Sequence, residues 1–314
     1  MPDIDVTREE RRSAVLSSSD LPCLREVATI NVTRGCAHGC LYCYARGYST
    51  YPGDGRVVVY SNLAEKLAAE LPRKRKPVRR VYFSPSCDPF QPVDAVRDVT
   101  YDLMQLLLRR RISIAFLTKG MVPDRFLDLF AGAQHLVHAQ IGITTLDETV
   151  ASTLEPNAAT PEDRVRDIRG LVRLGVHTSA RFDPLIPGLT DTDENLTPLL
   201  ERVAEAGAKS VAVNYLFLRS ALRGNLLSAL HRLTPRAAEL SDLFSRGADL
   251  AMYQHRSLIR VLPTDYRREN YERVKRRAER RGLKVHICGC KNTDITTERC
   301  HIAGPAEPTL FDPA

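Results

Sequence analysis

Cys36, Cys40 and Cys43 lie in the segment TRGCAHGCLYCY, which begins at Thr33. Three thiolates at this C-x3-C-x2-C spacing can wrap an iron–sulfur cube and leave its fourth iron without a protein ligand. An iron left open in this way can take a small molecule directly. Gly35 and Gly39 let the loop backbone fold tightly around the sulfurs. The competing assignment is a zinc site with Cys23 as fourth ligand. Zinc usually draws on paired C-x-x-C hairpins, so the lone triad favours the cluster. His38 and Arg34 are either neighbours of that site or solvated loop residues.

Cys288, Cys290 and Cys300 form a second array, C-x-C-x9-C, after the strand-like run 283–287. The array predicts an auxiliary [4Fe-4S] cluster with His286 or His301 as a further ligand. A zinc built from the three cysteines and a histidine ranks second, and metal-free thiols third. Six of the eight cysteines fall in these two groups, a usage that suits ligands or reactive thiols better than disulfides.

The 314 residues carry 45 basic and 38 acidic side chains, a net charge of +7, with 43% hydrophobic residues. That composition fits a globular chain with a sizeable core and argues against overall disorder. The excess charge is clustered at 73–76, 79–80, 109–111 and 267–281. Such runs can meet phosphates, but Glu269, Glu272 and Glu279 interleave the last, and solvated helix faces are the commoner outcome. No stretch nears the ~20 apolar residues that span a bilayer, and the first twenty residues lack an apolar signal core, so a cytoplasmic location without membrane partners is expected.

Strand-like runs at 28–34, 78–84, 112–118, 136–144, 177–183 and 210–217 alternate with helical patterns at 61–70, 97–109, 124–131, 161–174 and 193–206. This rhythm predicts an α/β fold of parallel strands with crossover helices, nearly six β/α units. Thr160-Pro161-Glu162-Asp163 is a helix start, with a capping hydroxyl, a first-position proline and early acids. Thr234-Pro235 repeats that signal before a helix to about Arg246. An amphipathic helix over 267–281 gathers Tyr271, Val274 and Ala278 on one face. The expected organisation is an N-terminal extension (1–23), a barrel (24–220), a C-terminal helical and cysteine-rich region (221–302) and a loose tail (303–314). The first cysteine group then falls at the C-terminal mouth of the strands, where β/α barrels place active sites.

With Tyr42 before its last cysteine, the motif resembles the signature of the radical S-adenosylmethionine (SAM) superfamily. Through CAHGCLYCYAR, SPSCDPFQPVD, FLTKG, IGITTLDE and RFDPLIPGLTD, residues 24–220 resemble its spore photoproduct lyase-like group. The resemblance implies a partial (β/α)6 barrel and a [4Fe-4S] cluster whose open iron is chelated by SAM. Reduction of the sulfonium then gives a 5'-deoxyadenosyl radical, with an external reductant such as flavodoxin or ferredoxin. It also implies that Tyr42 approaches the adenine through its backbone and that the Ser86-Cys87-Asp88 turn meets the amino end of SAM. Lys119 contacts SAM in this scheme, and Arg181 with the 184–188 segment borders its pocket. Gly142 stands where relatives often carry serine, so a contact there falls to Thr144, backbone or water.

In the related lyase a cysteine near this region returns a hydrogen atom to the substrate radical. Cys87 is either such a donor or a small packing residue. Tyr215 and Asn214, ending the sixth strand, either line the substrate cavity or, for Tyr215, form part of the core. The function expected is hydrogen abstraction from a nucleotide, nucleoside or nucleic-acid-type substrate. The alternative is modification of a small metabolite, including sulfur insertion from the auxiliary cluster. A zinc-stabilised nucleic-acid-binding module leaves the β/α series without a role.

Overall fold

Apolar residues recurring at helical spacing between short β-branched runs make this chain wind back and forth across one sheet. In the computed structural model, residues 4–19, 21–219, 223–234, 236–251 and 258–304 are described. Pro235 of the second helix signal and residues 305–314 of the expected tail lie outside them.

The strands in chain order are β1 (Asp5–Glu9), β2 (Ala28–Ile30), β3 (Thr33–Arg34), β4 (Arg56–Tyr60), β5 (Arg80–Phe83), β6 (Ser113–Thr118), β7 (Val137–Gly142), β8 (His177–Leu185), β9 (Ser210–Tyr215), β10 (Ala248–Ala251), β11 (Leu258–Val261) and β12 (Lys284–Ile287). The helices are α1 (Leu63–Glu70), α2 (Asp94–Arg109), α3 (Asp124–Ala131), α4 (Glu148–Leu154), α5 (Pro161–Arg173), α6 (Asp193–Glu205), α7 (Arg223–Leu233), α8 (Ala237–Ser245) and α9 (Thr264–Glu279). The main sheet runs β12-β9-β8-β7-β6-β5-β2, parallel throughout. All six expected strands are present in sequential order, giving the largely parallel α/β sheet of a partial barrel. The run 283–287 becomes a seventh strand, β12, beside β9.

Each crossover helix turns one apolar stripe to the sheet. α2 buries Val96, Thr100, Leu103, Met104 and Leu107 at three- and four-residue intervals. Phe90 packs edge-on against Phe116 and Phe126, joining the loop after β5 to β6 and α3. At the start of α5, Thr160 Oγ1 accepts from the backbone N–H of Asp163 at 3.1 Å. Helix α9 buries Tyr271, Val274 and Ala278 as expected but starts three residues earlier, at Thr264 after Pro263.

The basic runs find mundane roles. Arg267 is buried and pairs with Asp294 at 2.5 Å, Arg273 with Asp193 at 2.8 Å and Arg281 with Glu201 at 2.6 Å. These arginines dock α9 rather than present a phosphate-binding face. Residues 109–111 lie between the end of α2 and the start of β6, at the N-terminal edge of the sheet, away from the mouth.

Asp167 of α5 is buried and accepts the backbone N–H of Val122 at 2.8 Å. Burial pushes its carboxyl up to about 7 from a usual value of 3.8. The folded protein therefore holds a proton there that the unfolded chain releases. Its contribution to stability is full below about pH 4 and is lost as pH rises through 7. Asp167→Asn should be more stable than wild type at pH 8 by about 2 kcal/mol, with the advantage vanishing near pH 4. Melting temperatures of the two proteins across that range check this.

Candidate active site

The first cysteine loop leaves β3 through Gly35, whose φ is +77° and whose added Cβ would lie 2.2 Å from the Arg56 carbonyl oxygen. Only glycine fits so close an approach. Gln91 staples the loop from below: its Oε1 accepts from Ala37 N at 2.8 Å and its Nε2 donates to Thr33 Oγ1 at 3.2 Å. On the other side Asn157 Nδ2 donates to Ala37 O at 2.9 Å, and Leu41 N donates to Leu154 O at 2.9 Å.

His38 is not a solvated residue. It is buried, with Nδ1 3.0 Å from Asn157 O and Nε2 3.2 Å from Asp88 Oδ2. Arg34, by contrast, pairs with Glu9 at 2.8 Å on the surface.

Cys36, Cys40 and Cys43 face one cavity of about 560 Å³ together with Tyr42, Ser86, Cys87, Asp88, Lys119, Gly142 and Arg181. Burial, with Asp88 beside it, pushes the Cys36 thiol well up. Burial and Glu155 push up Cys40, against the pull of Lys119 and Arg164, and burial raises Cys43. Three enclosed thiols, of which Cys40 is buried, with cations close by fit a metal cluster that displaces their protons and needs its negative charge balanced.

The cations are fixed by Glu155. Its carboxylate is buried, 2.9 Å from Lys119 Nζ and 2.5 Å from Arg164 Nη1, and it accepts from the Tyr42 hydroxyl. Lys119 also donates to Asp183 O at 3.1 Å and lies 5.2 Å from the Tyr42 ring centroid. Burial lowers its ammonium to about 8. Gly142 makes room for this side chain, since a Cβ there would lie 2.9 Å from Lys119 Cγ. Serine at this position would push the lysine aside, which accounts for the departure noted in the sequence. Gly142 itself lines the cavity, whereas Thr144 is not among the lining residues, and its carbonyl accepts from Asn195 Nδ2 at 3.0 Å.

Asp88 is taken up by the protein. Burial would raise its carboxyl, but His38, Lys119 N at 2.9 Å and Thr118 Oγ1 at 2.7 Å hold it below the usual range. Ser86 N donates to Asn31 Oδ1 at 3.0 Å. Cys87 is half-buried on the cavity wall, with Sγ 3.8 Å from Asn31 Oδ1. Burial raises its thiol, which keeps the S–H bond intact.

Tyr215 does not reach the cavity among its described lining residues. Its hydroxyl donates to Asp191 Oδ2 at 3.0 Å and its ring packs on Tyr266 and Tyr271, so it is the core aromatic of the two alternatives. Asn214 is likewise absorbed, with Nδ2 3.2 Å from Asp183 Oδ1 and Oδ1 accepting from Asn292 Nδ2 at 3.0 Å.

The second cysteine group opens onto the same cavity: Cys288, Cys290 and Cys300 line it, and so does Cys23. The Cys23 thiol packs against the cluster of Cys288, Cys290 and Cys300, within interaction range of Cys290 and Cys300. Cys23 thus belongs with the C-terminal group and not with the first triad, because the Pro22–Leu24 turn packs it against Cys288, Cys290 and Cys300. His286 and His301 face each other instead, at 4.9 Å between rings, and His286 Nδ1 is 2.9 Å from Glu298 Oε1. Neither lines the cavity.

Three groups beyond the expected ones join the cavity lining: Tyr44, Tyr48 and Phe217. Arg219 lies 5.5 Å from the Tyr48 ring centroid, and Lys291 lies 5.9 Å from that of Tyr44 and 5.1 Å from that of Phe217. Tyr44 follows the first motif directly and Lys291 lies inside the second cysteine array, but Phe217 and Arg219 come from segments without a signal. Gln91, Glu155, Arg164 and Asp183 are positioning groups that sequence patterns also left unmarked. Two of them, Gln91 and Asp183, lie inside conspicuous segments.

A sequence model of the radical SAM superfamily matches residues 30–214. An uncharacterized protein of Mycobacterium tuberculosis is 31% identical over 256 residues, covering 78% of this chain and 72% of that one. The Radical SAM Nalpha-GlyT isomerase of Pseudomonas phage M6 is 27% identical over 271 residues, 85% of this chain but 54% of its own length. Among solved structures, spore photoproduct lyase complexed with dinucleoside spore photoproduct superposes with a TM-score of 0.66 at 16% identity, covering 90% of this chain and 82% of that chain. At that identity the likeness is one of fold.

Proposed function

Because the chain belongs to the radical SAM superfamily, we propose that it abstracts hydrogen from a nucleotide, nucleoside or nucleic-acid-type substrate held in the cavity that the cysteine triad and the aromatic rings line. The family implies a [4Fe-4S] cluster, SAM, a substrate and an electron source. Bound together, cluster and SAM supply a reductively generated hydrogen-abstracting radical. Cys36, Cys40 and Cys43 would hold the cluster. The buried Lys119–Glu155–Arg164 group keeps positive charge beside them and orients Tyr42 on the cavity wall.

The observation that carries the substrate class is the pairing of rings and cations in the cavity that the triad lines. Tyr44, Tyr48 and Phe217 offer ring surface against which bases can pack, and Arg219 offers charge to a phosphate. The fold shared with spore photoproduct lyase, solved with dinucleoside spore photoproduct, is compatible with the same class. An electron donor such as flavodoxin or ferredoxin completes the scheme.

Binding of a fluorescent single-stranded DNA oligonucleotide tests this. Tyr48→Ala should weaken it about tenfold, the scale of one lost base stack. Equal affinity in wild type and variant would remove the stacking wall from the account. A steep fall in affinity with salt would mark a polymer, and a shallow one a mononucleotide.

Cys87 holds a hydrogen at Sγ against the cavity, and we assign it the return of hydrogen to the substrate. In deuterated water, Cys87→Ala should lose solvent deuterium from the product while SAM cleavage persists. Unchanged incorporation would leave Cys87 a packing residue.

A further inference from the structure

The four thiols of Cys23, Cys288, Cys290 and Cys300 need an explanation that the radical site does not supply. Cys288, Cys290 and Cys300 are buried, at 2%, 8% and 2% exposure, cluster with Ala212 and line the large cavity. Each is held in place by backbone. Gly289, between Cys288 and Cys290, sits so close to the returning strand that an added Cβ would lie 2.5 Å from Glu298 O. Cys300 O accepts from the buried Gln140 Nε2 at 2.9 Å, and Cys288 N donates to Val213 O at 3.2 Å. Cys23 arrives from the other end of the chain, anchored by Leu24, which packs with Tyr82 and Ala115.

Charge points the same way. Arg181 and Lys291 both pair with the single carboxylate of Asp183, at 2.9 and 2.8 Å, and Cys288 and Cys300 lie within electrostatic reach of Arg181. Two enclosed cations sharing one carboxylate leave a positive excess that costs free energy unless an anion lies beside it. A four-thiolate iron–sulfur centre carries net negative charge and provides it.

We propose that Cys23, Cys288, Cys290 and Cys300 are the four ligands of a second [4Fe-4S] cluster, closed to substrate because every iron has a protein thiolate. Full ligation separates this site from the radical cluster, whose function requires an open iron. It also disfavours a sulfide-donating role, since no iron is free to engage substrate.

The test starts from the full chain with Cys36→Ala/Cys40→Ala/Cys43→Ala, so that the radical cluster is removed and the outcome is independent of any SAM chemistry. After anaerobic reconstitution, about four irons and four acid-labile sulfides per chain should remain. Their electron paramagnetic resonance spectrum after reduction should not change on adding SAM. Adding Cys23→Ser to that background should shift the spectrum or lower the iron content, with serine keeping the side chain's size. No iron, or one zinc per chain, would overturn the proposal. So would a full cluster whose spectrum is indifferent to Cys23→Ser, which would assign the fourth ligand elsewhere.

Discussion

Cys40→Ala should lose reductant-dependent formation of 5'-deoxyadenosine from SAM entirely, with iron falling by about four per chain. Cys40 is the buried member of the triad, and its neighbour Leu41 is tied through its backbone N–H to Leu154 O at 2.9 Å. The loop therefore has no slack with which a water or another side chain can replace the missing sulfur. Iron and sulfide analysis alongside chromatography of the SAM products reads both effects. Cleavage surviving at a tenth of the wild-type rate would mean that two thiolates suffice and that the triad is not the functional unit.

The largest effect on stability is expected at a residue that never meets substrate. Glu155→Gln leaves Lys119 and Arg164 enclosed without their shared carboxylate, and losing one partner from a buried ion pair typically costs about 3–5 kcal/mol. For a domain of this size that corresponds to a drop in melting temperature of about 10 °C. Glu155 immediately follows Leu154, which anchors the cysteine loop, so cluster occupancy should fall with it. Anaerobic calorimetry with parallel iron analysis checks the prediction. A shift of under about 2 °C would show that the two cations find other partners at little cost.

The strands and crossover helices of the main sheet were legible because each buries a continuous face, which forces a period on the sequence. The small sheet β1-β4-β3 was not, since β1 is exposed along its whole length and carries no alternation. The β10–β11 hairpin is likewise short and half-exposed. In the site, cysteine spacing marked both cysteine groups because it is a local property of the chain. The assignment of Cys23 was not local. Only the fold decides whether a cysteine 13 residues before Cys36 turns toward it or toward a strand more than 250 residues on. The same reason hid Glu155, Asp183 and Lys291, whose importance lies in partners brought together by tertiary packing. Tyr215 shows the converse: a strand-end aromatic looks like cavity lining until its hydroxyl is found on Asp191.

The central claim is that radical chemistry in this cavity acts on a nucleotide-type substrate. It is tested most directly by giving the reconstituted wild-type protein SAM, a reductant and single-stranded DNA containing all four nucleosides in fully deuterated form. Mass spectrometry then reads the 5'-deoxyadenosine. Deuterium in that product, absent when the DNA is left out and reduced in Tyr48→Ala, is the predicted result. Vigorous SAM cleavage with no deuterium transferred from DNA, nucleotides or nucleosides would contradict it and turn the search toward small metabolites.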